Sequence, residues 1–273
     1  MNLDTFPEQR RLLLQELLSG RAAAHRARSD AVQPREPGQP VPVSVEQKQV
    51  WFHGSMAPDV PLYNEAITIH RNGSFSLYAL ERAFNAVLSR HEMWRSSIEK
   101  RDGRLLIVVK PALELKLPLV DLTDRPEEER EAAALHIATE DAQRPFDLAC
   151  APLLRARVVR LAPDRHRLYL VLHHIIFDGV SIYRLIVPEL STFYAAYAAG
   201  EEPDHAAPSL QYGDYAIWRE QQLGSKAIAQ QLKYWREQLS GELPELQLPA
   251  VHHPPSPTHR GGINVPALRG ADE

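Results

Sequence analysis

The sequence predicts an α+β fold in which helices cover a mixed sheet, and two kinds of pattern support this prediction. Two pairs of strand-like segments are each separated by a short turn sequence, which is typical of antiparallel hairpins. Longer segments carry apolar residues at helical spacing, as at Leu77, Leu80, Phe84, Val87 and Leu88. Hairpins combined with long helices indicate the α+β class.

The first 42 residues predict a separate helix followed by a linker. Residues 5–8 read Thr-Phe-Pro-Glu, a capping box with proline in the first turn, and a leucine-rich stretch then runs to Gly20. The helix over 1–20 either docks onto another protein of an assembly or packs on its own domain, and the sequence favours neither. Residues 21–42 become rich in Arg, Ala and then Pro, which is typical of a linker.

The main domain is expected over residues 43–243. Its predicted elements are, in order, a strand at Ala66–His70, a helix over Leu77–Arg90, a hairpin of Ser96–Glu99 and Leu105–Val109, a charged helix over Pro126–Gln143, a hairpin of Leu154–Leu161 and Arg167–His173, and helices over Val180–Ala199, Asp214–Leu223 and Ala227–Leu239. Pro188 should kink or split the helix that contains it. Residues 244–273 are proline-rich and predict a crossover segment or tail.

Composition narrows the class of protein. The 273 residues are 44% hydrophobic and 24% charged with a net charge of −4, which fits a globular domain. The sequence contains no basic patch typical of nucleic-acid binding, no apolar run of membrane-spanning length and no signal peptide in residues 1–20. Because Cys150 is the only cysteine, an internal disulfide and a cysteine metal cluster are excluded. We expect a cytoplasmic protein without nucleic-acid or membrane partners.

Residues 172–179 read Leu-His-His-Ile-Ile-Phe-Asp-Gly and carry the most functional information. Neighbouring side chains on a strand point to opposite faces, so His173 and His174 should not enter the same cavity. One is expected to face a reaction space, where a neutral imidazole can accept a proton near neutral pH. Metal binding by His173, His174 and Asp178 is disfavoured because the two rings diverge.

Four ordered motifs resemble those of condensation domains of nonribosomal peptide synthetases. LHHIIFDGVS at 172–181 is similar to the HHxxxDG motif of that family. SVEQKQVW at 44–51, RHEMWR at 90–95 and YGDYAIW at 212–218 are similar to three further motifs, with Trp94 in place of the usual leucine. The resemblance covers about residues 40–270.

The resemblance implies a chloramphenicol acetyltransferase-like lobe that forms half of a two-lobed enzyme. In such an enzyme, donor and acceptor carrier proteins present thioesters on phosphopantetheine arms, and the acceptor amine attacks the donor acyl group to form an amide. No directly bound cofactor is implied. The chain resembles only the N-terminal lobe, so a second condensation lobe or a larger megasynthase is the expected partner.

The resemblance also implies roles for the motif residues. His174 is the candidate to accept a proton from the attacking amine or to hydrogen-bond it, whereas His173 is expected to be structural. Gly179 would let the backbone approach a thioester, and its N–H could donate to an oxyanion.

Asp178 is expected to fix the motif loop through an ion pair with an arginine. Arg95 is the first candidate for this structural support and Arg90 the second.

Two other functions compete with amide formation. One is a truncated, non-catalytic module that recruits a carrier protein, and the other is a coenzyme A-dependent acyltransferase. Within the condensation family, the stretch Tyr63-Asn64-Glu65 together with Trp94 and Phe177-Asp178-Gly179-Val180 looks most like the subtype found at polyketide–peptide junctions.

Overall fold

The computed structural model describes residues 31–204 and 206–244 of the chain. The strands in these ranges are β1 (Val41–Pro42), β2 (Asn64–Asn72), β3 (Ser96–Arg101), β4 (Arg104–Val109), β5 (Leu119–Asp121), β6 (Leu154–Ala162) and β7 (Arg165–His173). The longer helices are α1 (Val45–Met56), α2 (Leu77–Arg90), α3 (Glu127–Gln143), α4 (Val187–Ala198), α5 (Tyr212–Leu223) and α6 (Lys226–Gln238). Shorter helical pieces lie at Glu92–Arg95, Gly179–Ser181 and Ile182–Ile186. The predicted α+β class is confirmed.

The strands form two sheets. The larger sheet has the order β2-β7-β6-β5, with β5 parallel to β6 and the other pairs antiparallel, so it is mixed as predicted. The smaller sheet has the order β1-β4-β3 and is antiparallel. Asp102 and Gly103 both have positive φ, at 48° and 77°, in the predicted turn between β3 and β4. Two consecutive positive φ values are typical of a type I′ hairpin turn, which Asp-Gly adopts readily.

Alternation along β7 divides its side chains between two faces of the larger sheet. Leu168, Leu170 and Leu172 are buried in the main core, to which α2 and α4 also contribute. Tyr169 packs on the opposite face with residues of α3. Because side chains alternate, His173 lies on the same face as Tyr169.

Two boundaries differ from the sequence-based expectation, and the predicted break at Pro188 is present. At the C-terminal end of the linker expected over 21–42, Val41 pairs with Ile107 of β4 and is buried. The chain divides into two units at residues 225 and 226, inside the lobe expected over 43–243. Pro188 interrupts the regular α-helical pattern, since a π-helical segment ends at Ile186 and continues directly into α4, which has proline in its first turn.

Several predicted segments lie outside the described residues. These are the helix over 1–20, the first ten residues of the linker, and the proline-rich stretch beyond residue 244. None of the helices in the described part of the chain combines the length and the apolar character that a membrane span requires.

Candidate functional site

The four sequence motifs meet around one cavity of about 930 Å³. Each motif contributes to its lining, which includes Glu46 and Gln47 from the first, Arg90, His91, Met93 and Trp94 from the second, His174–Asp178 and Ser181 from the third, and Tyr212 and Tyr215 from the fourth. The motifs are separated by up to 168 residues, as in the bond between Ser44 and Tyr212. Their convergence identifies this cavity as the candidate active site.

His174 is the exposed histidine of this cavity. β7 ends at His173, and His174 is the first residue of the following turn. Its backbone N–H donates to the carbonyl oxygen of Tyr63 at 2.8 Å, which ties the turn to the start of β2. Its ring lies 4.9 Å from that of Phe177, measured between centroids. The imidazole is therefore accessible while its main chain is fixed.

His173 points away from this cavity, as the alternation of strand side chains predicts. It is buried, and its ring lies 6.1 Å from those of Tyr63 and Phe146. Its Nδ1 accepts a hydrogen bond from the N–H of Ile175 at 3.3 Å. Burial, aided by the neighbouring His174, lowers the pKa of His173 to about 4. The ring is thus neutral at neutral pH and supports the turn from the far side.

Asp178 fixes the motif loop without an arginine. It is the N-cap of the helical turn Gly179–Ser181, where its Oδ1 accepts from the Ser181 N–H at 2.7 Å. The Asp178 N–H donates in turn to the Ser181 hydroxyl at 2.9 Å, which completes a capping box. The hydrogen bond from the Ser181 N–H is the main reason that the pKa of Asp178 is lowered.

The predicted ion pairs of Asp178 with Arg95 and Arg90 are wrong. Arg95 donates to the carbonyl oxygen of Lys110 at 2.5 Å. Arg90 pairs with Glu189 at 3.1 Å and also donates to the Ala206 carbonyl. Both arginines thus have partners other than Asp178, and of the two Arg90 lines the cavity.

Glu189 joins the second motif to α4. One carboxylate oxygen pairs with Arg90, and the other lies 2.6 Å from Nε2 of His91. All three side chains contribute to the cavity lining. This cluster places a titratable group beside the same space that His174 faces, and Glu189 lies outside the four sequence motifs.

Gln47 connects the first motif directly to the histidine turn. Its side-chain amide donates to the Ile175 carbonyl at 2.9 Å and its Oε1 accepts from the Ser44 N–H at 3.1 Å. Ser44 Oγ lies 2.9 Å from the hydroxyl of Tyr212, whose pKa is raised by burial. Sequence reasoning did not assign α1 or these roles. The Ser44-x-x-Gln47 pattern is a capping-box signal that predicts this helix start.

A second connection runs through Arg35, in the segment expected to be linker. Its guanidinium pairs with Glu92 at 2.6 Å and with Asp214 at 2.9 Å. Asp214 was expected to begin its helix, but it is the third residue of α5 and accepts from the N–H of Gln211, the N-cap, at 2.7 Å. The segment before β1 is therefore attached to the second and fourth motifs.

Gly179 has open space beside it. No described atom outside its immediate neighbours lies within 4 Å of the position a Cβ would occupy, and its φ is not in the left-handed region. Neither packing nor backbone conformation in the described chain requires glycine at this position.

Metal-ligating side chains do not cluster here. Among the described residues, no three His, Cys, Asp or Glu side chains come together in a way that would hold a metal ion. What the site offers is an exposed imidazole on a fixed turn, in a cavity with both apolar and polar walls.

The fold and the site define a class of protein: an α+β lobe in which motifs distant in sequence surround an exposed histidine. The family model for the condensation domain matches residues 38–269. The chain therefore belongs to the condensation-domain family, as the four motifs predicted.

Individual relatives agree with this assignment. A linear gramicidin synthase polypeptide from Brevibacillus parabrevis is 39% identical over 257 residues, which are 93% of this chain and 3% of that protein. The X-domain from teicoplanin biosynthesis, solved in complex with OxyB, is 25% identical with a TM-score of 0.73 and covers 84% of this chain and 50% of its own. A mutant starter condensation domain of rhizomide synthetase RzmA, solved with C8-CoA and Leu-SNAC, is 25% identical with a TM-score of 0.66, covering 73% of this chain and 45% of its own.

The chain thus spans about half the length of the solved domains that it matches. It spans a far smaller part of the gramicidin synthase polypeptide.

Proposed function

We propose that this chain forms the N-terminal lobe of an amide-forming condensation enzyme. The donor is an acyl group carried as a thioester on the phosphopantetheine of one carrier protein, and the acceptor is an aminoacyl group on another. The convergence of all four motifs on the cavity that contains His174 is the observation that carries this proposal.

His174 acts on the attacking amine in this proposal. An exposed imidazole can accept a proton from the amine or hydrogen-bond it and orient its lone pair. Tyr63 and Gln47 fix the backbone of the turn, which keeps the imidazole at a defined position in the cavity. Two tethered substrates held in one cavity gain most of their rate from proximity.

Asp178 and Gly179 shape the same end of the cavity. The Asp178 carboxylate is committed to capping the helical turn, so it acts as a positioning residue and not as a proton acceptor. The open space beside Gly179 leaves its backbone approachable by a thioester, which agrees with the role that the family resemblance implies.

The second lobe is the partner that this lobe requires. Val180, Tyr183 and Leu185 follow the histidine motif and are all exposed, with Val180 at 70%. A cluster of large apolar side chains beside a reaction cavity is typical of a surface that another protein element covers. We assign this surface to the second condensation lobe, in the same polypeptide or in another.

The test is amide formation from loaded donor and acceptor carrier proteins, with the chain supplied together with its second lobe. His174→Ala should lower the single-turnover rate, by about 10²- to 10⁴-fold where the imidazole takes the proton of the amine and by about three- to tenfold where it only hydrogen-bonds the amine. His136→Ala removes an exposed histidine on α3 and is the matched control, which should leave the rate unchanged. Carrier-protein binding is measured in parallel. An unchanged rate for His174→Ala would refute the assigned role.

A recruitment function is the second candidate, because the similar X-domain was solved in complex with another protein, OxyB. Under this alternative the reconstituted protein binds a carrier protein but forms no amide, so His174→Ala has no rate to lower.

A coenzyme A-dependent acyltransferase is the third candidate, because the rhizomide synthetase domain was solved with C8-CoA. Comparing an acyl-CoA donor with the same acyl group on a carrier protein separates these functions. The polyketide–peptide subtype stays a prediction, and a polyketide-type donor on the carrier protein tests it in the same assay.

A further inference from the structure

A second cavity, of about 580 Å³, lies on the other side of the histidine pair. Its lining comprises Trp51, Gly54, Ser55, Pro58, Val60–Asn64, Ile98, Lys100, Pro145–Ala149 and His173. It shares no lining residue with the cavity that contains His174. Helix α1 and the step from His173 to His174 separate the two, so this cavity is not an extension of the candidate active site.

Aromatic and apolar side chains form most of its wall. The rings of Tyr63 and Phe146 flank the ring of His173, the latter edge-on at 83°. Trp51 and Ile98 add further apolar surface. A concave apolar wall of this volume falls within the range of small-molecule sites.

His173 presents a single neutral donor to this cavity. Its Nδ1 accepts from the Ile175 N–H, so the ring proton of the neutral form must be on Nε2. Nε2 has no hydrogen-bond partner in the described part of the chain and is not sealed from solvent. Because the ring is neutral at neutral pH, it offers a hydrogen bond without a charge.

The other polar groups of the lining are satisfied, lie at the rim or are sealed from the cavity. The side-chain oxygen of Asn64 has no hydrogen-bond partner among the described residues, but it is buried from solvent and therefore not available to a ligand. The hydroxyl of Tyr63 lies 2.8 Å from Nδ1 of His53, and that of Ser55 donates to the Phe52 carbonyl at 2.6 Å. Asp147 accepts from the N–H of Ala149 at 3.0 Å. Lys100 is exposed. The best-placed unused group inside the cavity is therefore Nε2 of His173.

We propose that this second cavity is a binding site for an uncharged small molecule that combines an aromatic or branched apolar group with one carbonyl oxygen. The apolar part packs among Trp51, Tyr63 and Phe146, and the carbonyl oxygen accepts from Nε2 of His173. This site does not depend on the proposed amide-forming activity. Its occupant would contact Tyr63, whose carbonyl oxygen also holds the backbone of His174.

Fluorine NMR with three probes tests the chemical class. 4-Fluoroacetophenone carries the ring and the carbonyl, 1-ethyl-4-fluorobenzene lacks the acceptor, and 4-fluorobenzoate adds a negative charge. The ketone should bind about three- to tenfold more tightly than the ethyl compound, as expected for one neutral hydrogen bond. In His173→Asn the side-chain oxygen can replace Nδ1 as acceptor for the Ile175 N–H but leaves no donor at Nε2, so the preference should disappear.

A steric pair of variants tests the location. A Cβ at Gly54 would meet nothing within 4 Å, and Gly54 lies in α1, so Gly54→Ala and Gly54→Leu should both fold. Only the leucine reaches into the cavity, and it should abolish binding of the ketone while the alanine retains it. Circular dichroism and thermal unfolding confirm that each variant is folded.

Four results would overturn the proposal. The first is that none of the probes binds at millimolar concentration, and the second is that the ketone and ethyl compounds bind equally to the unmodified protein. A third is tighter binding of the benzoate, which would assign the cavity to Lys100 and an anion. The fourth is undiminished binding by folded Gly54→Leu, which would place the probe elsewhere.

Discussion

The stability of the fold should decrease steeply with acidification because of His173. Burial lowers the pKa of this residue to about 4 from its ordinary value of 6.5. Below pH 6.5 the unfolded chain gains a proton that the folded chain does not, so unfolding becomes favoured. The stabilising contribution is complete above pH 6.5 and lost once the pH has fallen through about 4. Each pH unit between the two values corresponds to about 1.4 kcal/mol, so the total loss is about 3 kcal/mol.

Urea unfolding at a series of pH values between 7 and 4 measures this loss as the change in the free energy of unfolding. Protonation of exposed carboxylates also lowers the free energy of unfolding as the pH falls. The His173→Asn variant measures this background dependence on pH, because its side chain keeps an acceptor for the Ile175 N–H and cannot be protonated in this range. The difference between the two slopes is the contribution of His173. NMR titration of the His173 ring provides a direct check. A ring that titrates near pH 6.5, or identical slopes for both proteins, would refute the reasoning.

Two further predictions concern the supports of the histidine turn. Gln47→Leu removes a buried amide that hydrogen-bonds the Ile175 carbonyl and the Ser44 N–H. It should lower the free energy of unfolding, measured in urea, by about 1–3 kcal/mol. Gln49 is exposed on the same helix, so the control Gln49→Leu should change that free energy by less than about 0.5 kcal/mol. Equal effects of the two variants would contradict the role of Gln47. Asp178→Ala should cost about 1 kcal/mol by loss of the N-cap, whereas Asp178→Asn should retain most of the stability because asparagine caps equally well. If Asp178→Asn lost as much stability as Asp178→Ala, the negative charge of Asp178, and not its hydrogen bond as the N-cap, would be what stabilises the loop.

Local rules of chain geometry accounted for much of the fold. The alternation of strand side chains predicted that His173 and His174 do not enter the same cavity, and the two residues line different cavities. Asp102-Gly103 predicted a tight hairpin, because these residues tolerate positive φ. Pro188 predicted an interruption, because proline lacks the N–H that a helix interior uses. Each of these properties depends only on residues that are neighbours in sequence.

Partners that are distant in sequence could not be predicted in the same way. The arginines proposed for Asp178 had other acceptors available, namely Glu189 and the carbonyl of Lys110. Ser181, three residues after Asp178, offered a local alternative that the Asp-x-x-Ser spacing could have revealed. The bond from Gln47 to Ile175 spans 128 residues, and a single sequence does not contain the packing that brings them together.

The supports of His174 bear on the kind of chemistry that this lobe can supply. Tyr63, Gln47 and Asp178 all act on the main chain of the turn or on its helix start. In residues 31–204 and 206–244, the His174 ring contacts Phe177 but makes no hydrogen bond to another side chain. A histidine that serves as a strong general base is normally oriented by a partner on its second ring nitrogen, and Asp178 is already used as a cap. For the amide formation that we propose, this arrangement supports a histidine that is positioned by its backbone and hydrogen-bonds the amine, with the tethered substrates supplying most of the rate through proximity.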